Sequence, residues 1–309
     1  MTNAADRRGP MDRYTMASQQ AASRIIGSYS TSFGTATRLL GVRHRSSVRN
    51  VYALVRVADE LVDGVTAEAG FAAEQQHRAL DQLEQHTLHA IDSGYSSNPI
   101  VHAFAHTARR AGIDRRLITP FFASMRTDLP RTEPVGSGAT ASGTEIAFGA
   151  GDHADYVHGS AEVVGLMCLR IFLCDEDRTP EQLTMLEHGA RRLGAAFQNV
   201  NFLRDLSDDT DRLGRCYLSP DGTVDESAKD HWVRTIREQL ADAAATIELL
   251  PRDARVAVYS ALRLFSRLTD RIAATSVENL YRRRVRVPAW EKSVLVARSL
   301  AEHRRGVLP

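Results

Sequence analysis

Apolar residues recur every three to four positions over almost the whole chain, and no run alternates at a period of two between turn signals. That spacing predicts helices over 15–40, 47–64, 71–93, 98–111, 115–127, 153–174, 180–209, 228–249 and 253–280, and with them an all-α fold. Residues 130–152, with PVGSGATASG at their centre, break the pattern and read as a mobile surface loop. Residues able to carry chemistry lie on both sides of this loop. It therefore reads as an excursion from one domain, 16–300, flanked by a polar tail at 1–15 and another at 301–309. The GSG within it could suggest a phosphate cradle, but no strand precedes it and no helix opens directly after it.

Two of the predicted helices carry acids on an otherwise apolar surface. In VYALVRVADELVD (51–63), a turn of 100° per residue gathers Tyr52, Arg56, Asp59, Glu60 and Asp63 into one arc. Valine, leucine and alanine cover the rest, and a helix apolar nearly all round is a buried one. Its carboxylates are then expected to face an interior cavity. In LGAAFQNVNFLRDLSDD (193–209), Gly194, Gln198, Asn201, Asp205 and Asp209 fall on one stripe between Phe197, Val200, Phe202, Leu203 and Leu206.

Each stripe could be a solvated helix face. Two aspartate pairs at i and i+4, each pair self-repelling, instead suggest a shared cation. Hard carboxylate oxygens suit Mg²⁺, with Mn²⁺ as a substitute, bridging protein to substrate phosphates. Zinc would call for histidine or cysteine.

Composition narrows the setting. The 309 residues are 43% hydrophobic and 25% charged with a net charge of +1, so no global field draws the chain to nucleic acid. Of 39 basic residues all but Lys229 and Lys292 are arginine, the better phosphate donor. Three scattered cysteines form no disulfide framework and fit a reducing compartment. The first 20 residues lack the apolar stretch of a signal peptide, and the apolar runs fall short of the roughly 20 residues of a membrane span. The expectation is a cytoplasmic protein.

With those residues in view, the chain resembles the squalene/phytoene synthase family from about residue 20 to 295. The matching blocks, in family order, are YSTSFGTATRLL (29–40), YALVRVADELVDG (52–64), YVHGSAEVVGLM (156–167), FQNVNFLRDLSDD (197–209), GRCYLSP (214–220) and RRRVRVPAWEK (282–292). The resemblance implies an isoprenoid-synthase fold around a central cavity, with metal-binding aspartates at its mouth. It assigns Asp59, Asp63, Asp205 and Asp209 to the metal and diphosphate. Tyr52 and Arg56 become diphosphate contacts, and Ser30 and Ser32 a loop closing over a phosphate. Gln198, Asn201 and Arg204 line the approach to the second acidic pair. Arg215 and Tyr217 become diphosphate or intermediate contacts, Tyr156 a cavity tyrosine near the reacting carbons, and Arg284 and Lys292 further basic contacts. Tyr29 stands where some relatives carry histidine, Asn199 where an apolar residue is usual, and the 130–152 loop is longer than expected.

The reaction so implied joins two geranylgeranyl diphosphates head to head through a cyclopropyl diphosphate to phytoene, in carotenoid biosynthesis. Without a nicotinamide fingerprint, no NADPH is expected. The final proton acceptor is left open among Tyr156, released diphosphate and water. The rivals are a C15 head-to-head synthase making squalene, dehydrosqualene or hydroxysqualene, a single-substrate cyclase, and a non-catalytic helical lipid-binding scaffold. Expected partners are prenyl diphosphates, a membrane surface met transiently, and neighbouring carotenoid enzymes.

Other signals are weaker. His102 and His106 lie at i and i+4, but no acid or cysteine completes a metal site, so they read as a packing pair. The RRRVRV run at 282–287 suits diphosphate, an acidic membrane surface or plain solvation. Gly159, Ser160, Ala161 and Gly165 give helix 153–174 a slim face, fitted either to a prenyl tail or to close helix packing.

Overall fold

The computed structural model describes residues 9–29, 31–130, 146–147, 150–208, 215–219 and 222–305. In chain order its helices are α1 (Pro10–Tyr29), α2 (Thr31–Leu39), α3 (Val42–Glu60), α4 (Thr66–Glu68), α5 (Ala73–Ser93), α6 (Pro99–Ala111), α7 (Arg115–Thr127), α8 (Ala150–Val157) and α9 (Val163–Leu173). They continue as α10 (Pro180–Arg204), α11 (Leu206–Asp208), α12 (Glu226–Ala244), α13 (Arg252–Ala273), α14 (Val277–Arg282) and α15 (Ala289–Arg304). Two-residue strands β1 (Ile146–Ala147) and β2 (Arg215–Cys216) pair in parallel. The architecture is helical, as the periodicity predicts. Ser30, Asp209, the GSG and most of 130–152 lie outside the described residues.

Local chemistry sets the elements that matter here. Helix α10 opens on a reciprocal cap: Gln182 N–H donates to the Thr179 hydroxyl at 3.3 Å, Thr179 N–H to the Gln182 side chain at 3.1 Å, and Pro180 occupies the first turn. Helix α6 starts on Asn98, which accepts from Ile100 N–H at 3.0 Å, and ends at Gly112 in the left-handed region. His102 packs α1 on α6. It is 1% exposed, lies 2.9 Å from the Thr15 hydroxyl and touches the Tyr14 and Tyr95 rings.

The structure departs from the predicted boundaries at both ends. Helix α1 begins at Pro10, inside the segment read as a tail, and α15 runs to Arg304. Helix α8 starts at Ala150, before the predicted end of the loop. Two further departures fall on the acidic helices. The predicted helix 47–64 is α only to Glu60; Leu61–Val65 form a wider π turn that carries Asp63 and ends around Gly64 at φ 122°. The predicted helix 180–209 stops at Arg204, with Asp205 as its cap (φ −103°, ψ 12°). Aspartates are poor helix formers, and a run of them sits badly at the negative end of a helix dipole.

Close backbone approach fixes the central helices. A Cβ on Gly159 would lie 2.4 Å from the Pro120 carbonyl oxygen, one on Gly165 2.5 Å from that of Ala190, and one on Gly194 2.5 Å from that of Ala161. These glycines let α7, α10 and the Gly151–Leu173 helical run touch backbone to backbone. That run is 23 residues long and, by length and composition alone, holds an 18-residue stretch apolar enough to cross a bilayer. Here it packs against α3, α7 and α10.

Two buried clusters result. One gathers α3, α5, α6, α7 and α9 around Phe104, Phe121 and Phe122. The other gathers α10, α12 and α13 around Leu203, Ile236 and Ile272. Residues of both clusters wall one cavity.

Candidate active site

The cavity holds about 890 Å³, at the large end of small-molecule sites. Much of its wall is apolar, from Ile26 and Val51 through Leu169 and Phe172 to Leu264 and Phe265. From α3 and the π turn, Tyr52, Arg56, Asp59 and Asp63 line it. From α10 and its cap come Gln198, Asn201, Arg204 and Asp205. Tyr156, Tyr217, Arg284 and Lys292 complete the predicted residues that it brings together. Ser32 lies on α2 and Arg215 in β2.

Arginines pair with acids of both helices. Arg56 pairs with Glu60, lies 3.9 Å from Asp59, and spreads its guanidinium 4.5 Å above the Tyr29 ring. Tyr29 is thus a cover for Arg56. Arg204 Nε donates to Asp205 at 2.9 Å, and Arg284 Nε grips the same carboxylate at 2.6 Å. Burial, and then the charge of Asp63, pushes the Asp59 carboxyl up to about 7. Lys292 is pushed down by burial and by Arg204 and Arg286.

Among the described residues no three acidic, histidine or cysteine side chains close around one point. The donors are hard oxygens on two walls, and Asp59 is a partly buried carboxylate beside a like charge. Such a set fits a divalent cation that takes most of its remaining ligands from phosphate and water.

Asp128 is the residue that sequence reasoning missed. It caps α7, is 6% exposed, and lines the same cavity. Tyr156 and Tyr217 each donate a hydroxyl to it at 2.7 Å, one to each carboxylate oxygen. Burial foremost, with the Asp128 charge, pushes the Tyr156 hydroxyl well above its ordinary value. No spacing rule links positions 128, 156 and 217; only the fold does.

Asn199, predicted at the edge of the metal-facing stripe, points elsewhere. It is 1% exposed and donates to Gln239 at 3.2 Å, tying α10 to α12. Asn199 follows Gln198 by one residue and so sits 100° around the helix, which suffices to leave the cavity. The slim face 159–165 both packs and lines: Gly159 is filled by Pro120, while Ser160, Ala161 and Gly165 border the cavity.

Comparison with known proteins identifies the family and the fold. A family model described as squalene/phytoene synthase matches residues 26–291. Phytoene synthase 3, chloroplastic, of Zea mays is 28% identical over 300 residues, which cover 92% of this chain and 65% of the maize protein. Phytoene synthase of Arthrospira platensis is 26% identical, with 94% of each chain covered. Among solved structures, a dehydrosqualene synthase in complex with ligand superposes with a TM-score of 0.73 at 20% identity, covering 96% of this chain and all of that one. A squalene synthase from Alicyclobacillus acidocaldarius gives 0.64 at 19%, covering 88% and 97%. The fold is therefore that of the squalene and dehydrosqualene synthases.

Proposed function

The chain belongs to the squalene/phytoene synthase family and is a prenyltransferase-type enzyme; within that class we propose that it condenses two geranylgeranyl diphosphates head to head to phytoene. The observation that carries this reading is the cavity itself. Acids and arginines from two separate helices line it together with many apolar side chains. Such a lining suits a ligand with a diphosphate head and a long hydrocarbon tail. Phytoene synthases among the relatives favour the C20 substrate.

Asp59, Asp63 and Asp205 would hold the metal, which we propose to be Mg²⁺ with Mn²⁺ as a substitute; Asp209 belongs to the same expectation from sequence. When bound, the ion neutralises charge on the leaving diphosphate and makes the C–O bond easier to ionise. Arg56, Arg204 and Arg284 supply fork-shaped donors to the same phosphates. Tyr52, Gln198 and Asn201 add polar contacts beside them, with Lys292 at the C-terminal side. The apolar wall excludes water from the allylic cation and holds the second substrate's double bond against it, giving the cyclopropyl diphosphate.

The substrates are lipids, and we extend the proposal to a membrane surface. Trp290 is 68% exposed and follows exposed Arg282, Arg283 and Arg286 in the chain, a composition of aromatic ring and cations suited to anionic headgroups. Co-sedimentation with anionic vesicles tests this part alone.

The deciding experiment is incubation with Mg²⁺ and labelled geranylgeranyl or farnesyl diphosphate, with products separated by mass. A C40 hydrocarbon from the C20 substrate is expected. A C30 product from the C15 substrate alone would move the enzyme to the squalene side with the same site. No product from either would leave a helical lipid-binding protein.

A further inference from the structure

We infer that Asp128 is a positioning residue of the second half of this reaction: it locks the hydroxyls of Tyr156 and Tyr217 into the cavity wall and sets a negative charge behind them. The inference rests on the head-to-head reading above. It starts from three side chains, each 6% exposed, that reach one point from distant parts of the chain. Tyr156 lies 28 residues from Asp128 and Tyr217 lies 89 away, yet both O–H groups end on its carboxylate at 2.7 Å.

The rings are fixed as firmly as the hydroxyls. Tyr217 stacks on Phe202 at 4.3 Å between centroids and leans on Tyr156 at 4.9 Å. The Ser124 hydroxyl donates to the Tyr156 carbonyl at 2.9 Å, which pins that residue's backbone to α7. Each tyrosine keeps its proton and points its O–H at the carboxylate, so its oxygen lone pairs are directed away from Asp128. Asp128, Tyr156 and Tyr217 all line the cavity. A buried carboxylate backing two oriented phenol dipoles makes a fixed negative field there, and such fields act strongly where water is excluded.

That field has a use in the chemistry. Ionisation of the first substrate takes place against the acids and arginines of the two aspartate helices. In the second ionisation the C–O bond of the cyclopropyl diphosphate breaks and its electron pair leaves with diphosphate. The resulting cation rearranges, and a C–H proton passes to that diphosphate as the central double bond forms. Throughout this step positive charge sits on carbon in the apolar part of the cavity, where an aromatic wall with a buried anion behind it steadies it.

Asp128→Asn keeps the size of the side chain and removes its charge. With wild-type enzyme two diphosphates are released per hydrocarbon. In the variant we expect hydrocarbon formation to fall on the order of a hundredfold, while the first diphosphate is still released and the cyclopropyl diphosphate accumulates. Tyr217→Phe and Tyr156→Phe keep both rings, and we expect the same partition in weaker form, with each less than additive with Asp128→Asn. They also serve if Asp128→Asn does not fold. Equal loss of both steps in every variant, with no intermediate, would make Asp128 a structural tie and overturn the role. Wild-type enzyme that forms no hydrocarbon would overturn the function as well, so the two failures are told apart.

Discussion

Asp205 and Arg284 are joined at 2.6 Å although 79 residues separate them in the chain. The contact draws the extended segment between α14 and α15 over the end of α10, so that Arg284, Arg286 and Lys292 border the cavity. The pair is partly exposed, with 38% of the Arg284 and 20% of the Asp205 side chain accessible, so it adds little to stability.

Arg284→Ala therefore separates binding from folding. We expect kcat/KM for the prenyl diphosphate to fall about ten- to a hundredfold, the worth of one hydrogen bond to a charged group. The thermal midpoint should move by only a few degrees. Steady-state kinetics beside a melting curve checks both halves; a large drop in midpoint would make Arg284 a structural latch instead.

Asp59 illustrates a site that is costly to fold. In the metal-free protein its carboxyl is partly buried beside Asp63 and held up to about 7. Because this folded value lies above the unfolded one, the ionised group at pH 8 opposes folding. Asp59→Asn should then stabilise the metal-free protein by roughly 0.5–2 kcal/mol, seen as a raised midpoint, while abolishing hydrocarbon formation. Asp205→Ala should also abolish turnover without a gain of that kind, since Asp205 is already paired with Arg204 and Arg284. Calorimetry with added chelator, and product assay with Mg²⁺, measure the two effects.

Much of this site was legible beforehand because helical periodicity is a local code. It puts Tyr52, Arg56 and Asp59 on one face and Gln198, Asn201 and Asp205 on another, and the cavity receives both. The code failed where backbone geometry changes. The π turn that carries Asp63 and the cap at Asp205 both end the regular 100° step. It failed again where chemistry is assembled across the fold. Asp128 is one aspartate at the end of an ordinary amphipathic helix, and nothing around it signals two tyrosine hydroxyls. Helix α15 was missed for a simpler reason: its apolar and polar residues are mixed around the axis, with Trp290 left exposed.

The packing glycines give a sharp contrast. Gly165→Ala and Gly194→Ala each drive a Cβ to 2.5 Å from a backbone carbonyl, which cannot rotate away as a side chain could. Each should cost about 1–3 kcal/mol in urea denaturation. Gly27 sits in α1 with nothing within 4 Å of a new Cβ, so Gly27→Ala should stabilise by up to about 1 kcal/mol. A neutral result at Gly165 and Gly194 would mean that the helices separate easily.

Acid should open the protein where α3, α9 and α13 meet. Arg43 Nε donates to Asp253 at 2.8 Å, and its other arm reaches Glu176 at 2.6 Å. Buried His44 faces the same Asp253 at 3.2 Å. The Arg43 hydrogen bond holds both carboxyls below their ordinary range, and His44 adds to this at Asp253. A depressed folded pKa contributes stability that is complete above the unfolded value, about 3.9 for Asp and 4.3 for Glu, and is lost as pH falls through the folded one. The midpoint should therefore decline below about pH 4, where these carboxylates take up protons. Asp253→Asn removes one of them in advance, so its curve should start lower at pH 7 and converge on wild type in acid. Parallel curves at every pH would show that Asp253 contributes through packing alone: Gly41 leaves room for it, a Cβ there falling 2.3 Å from its carboxylate.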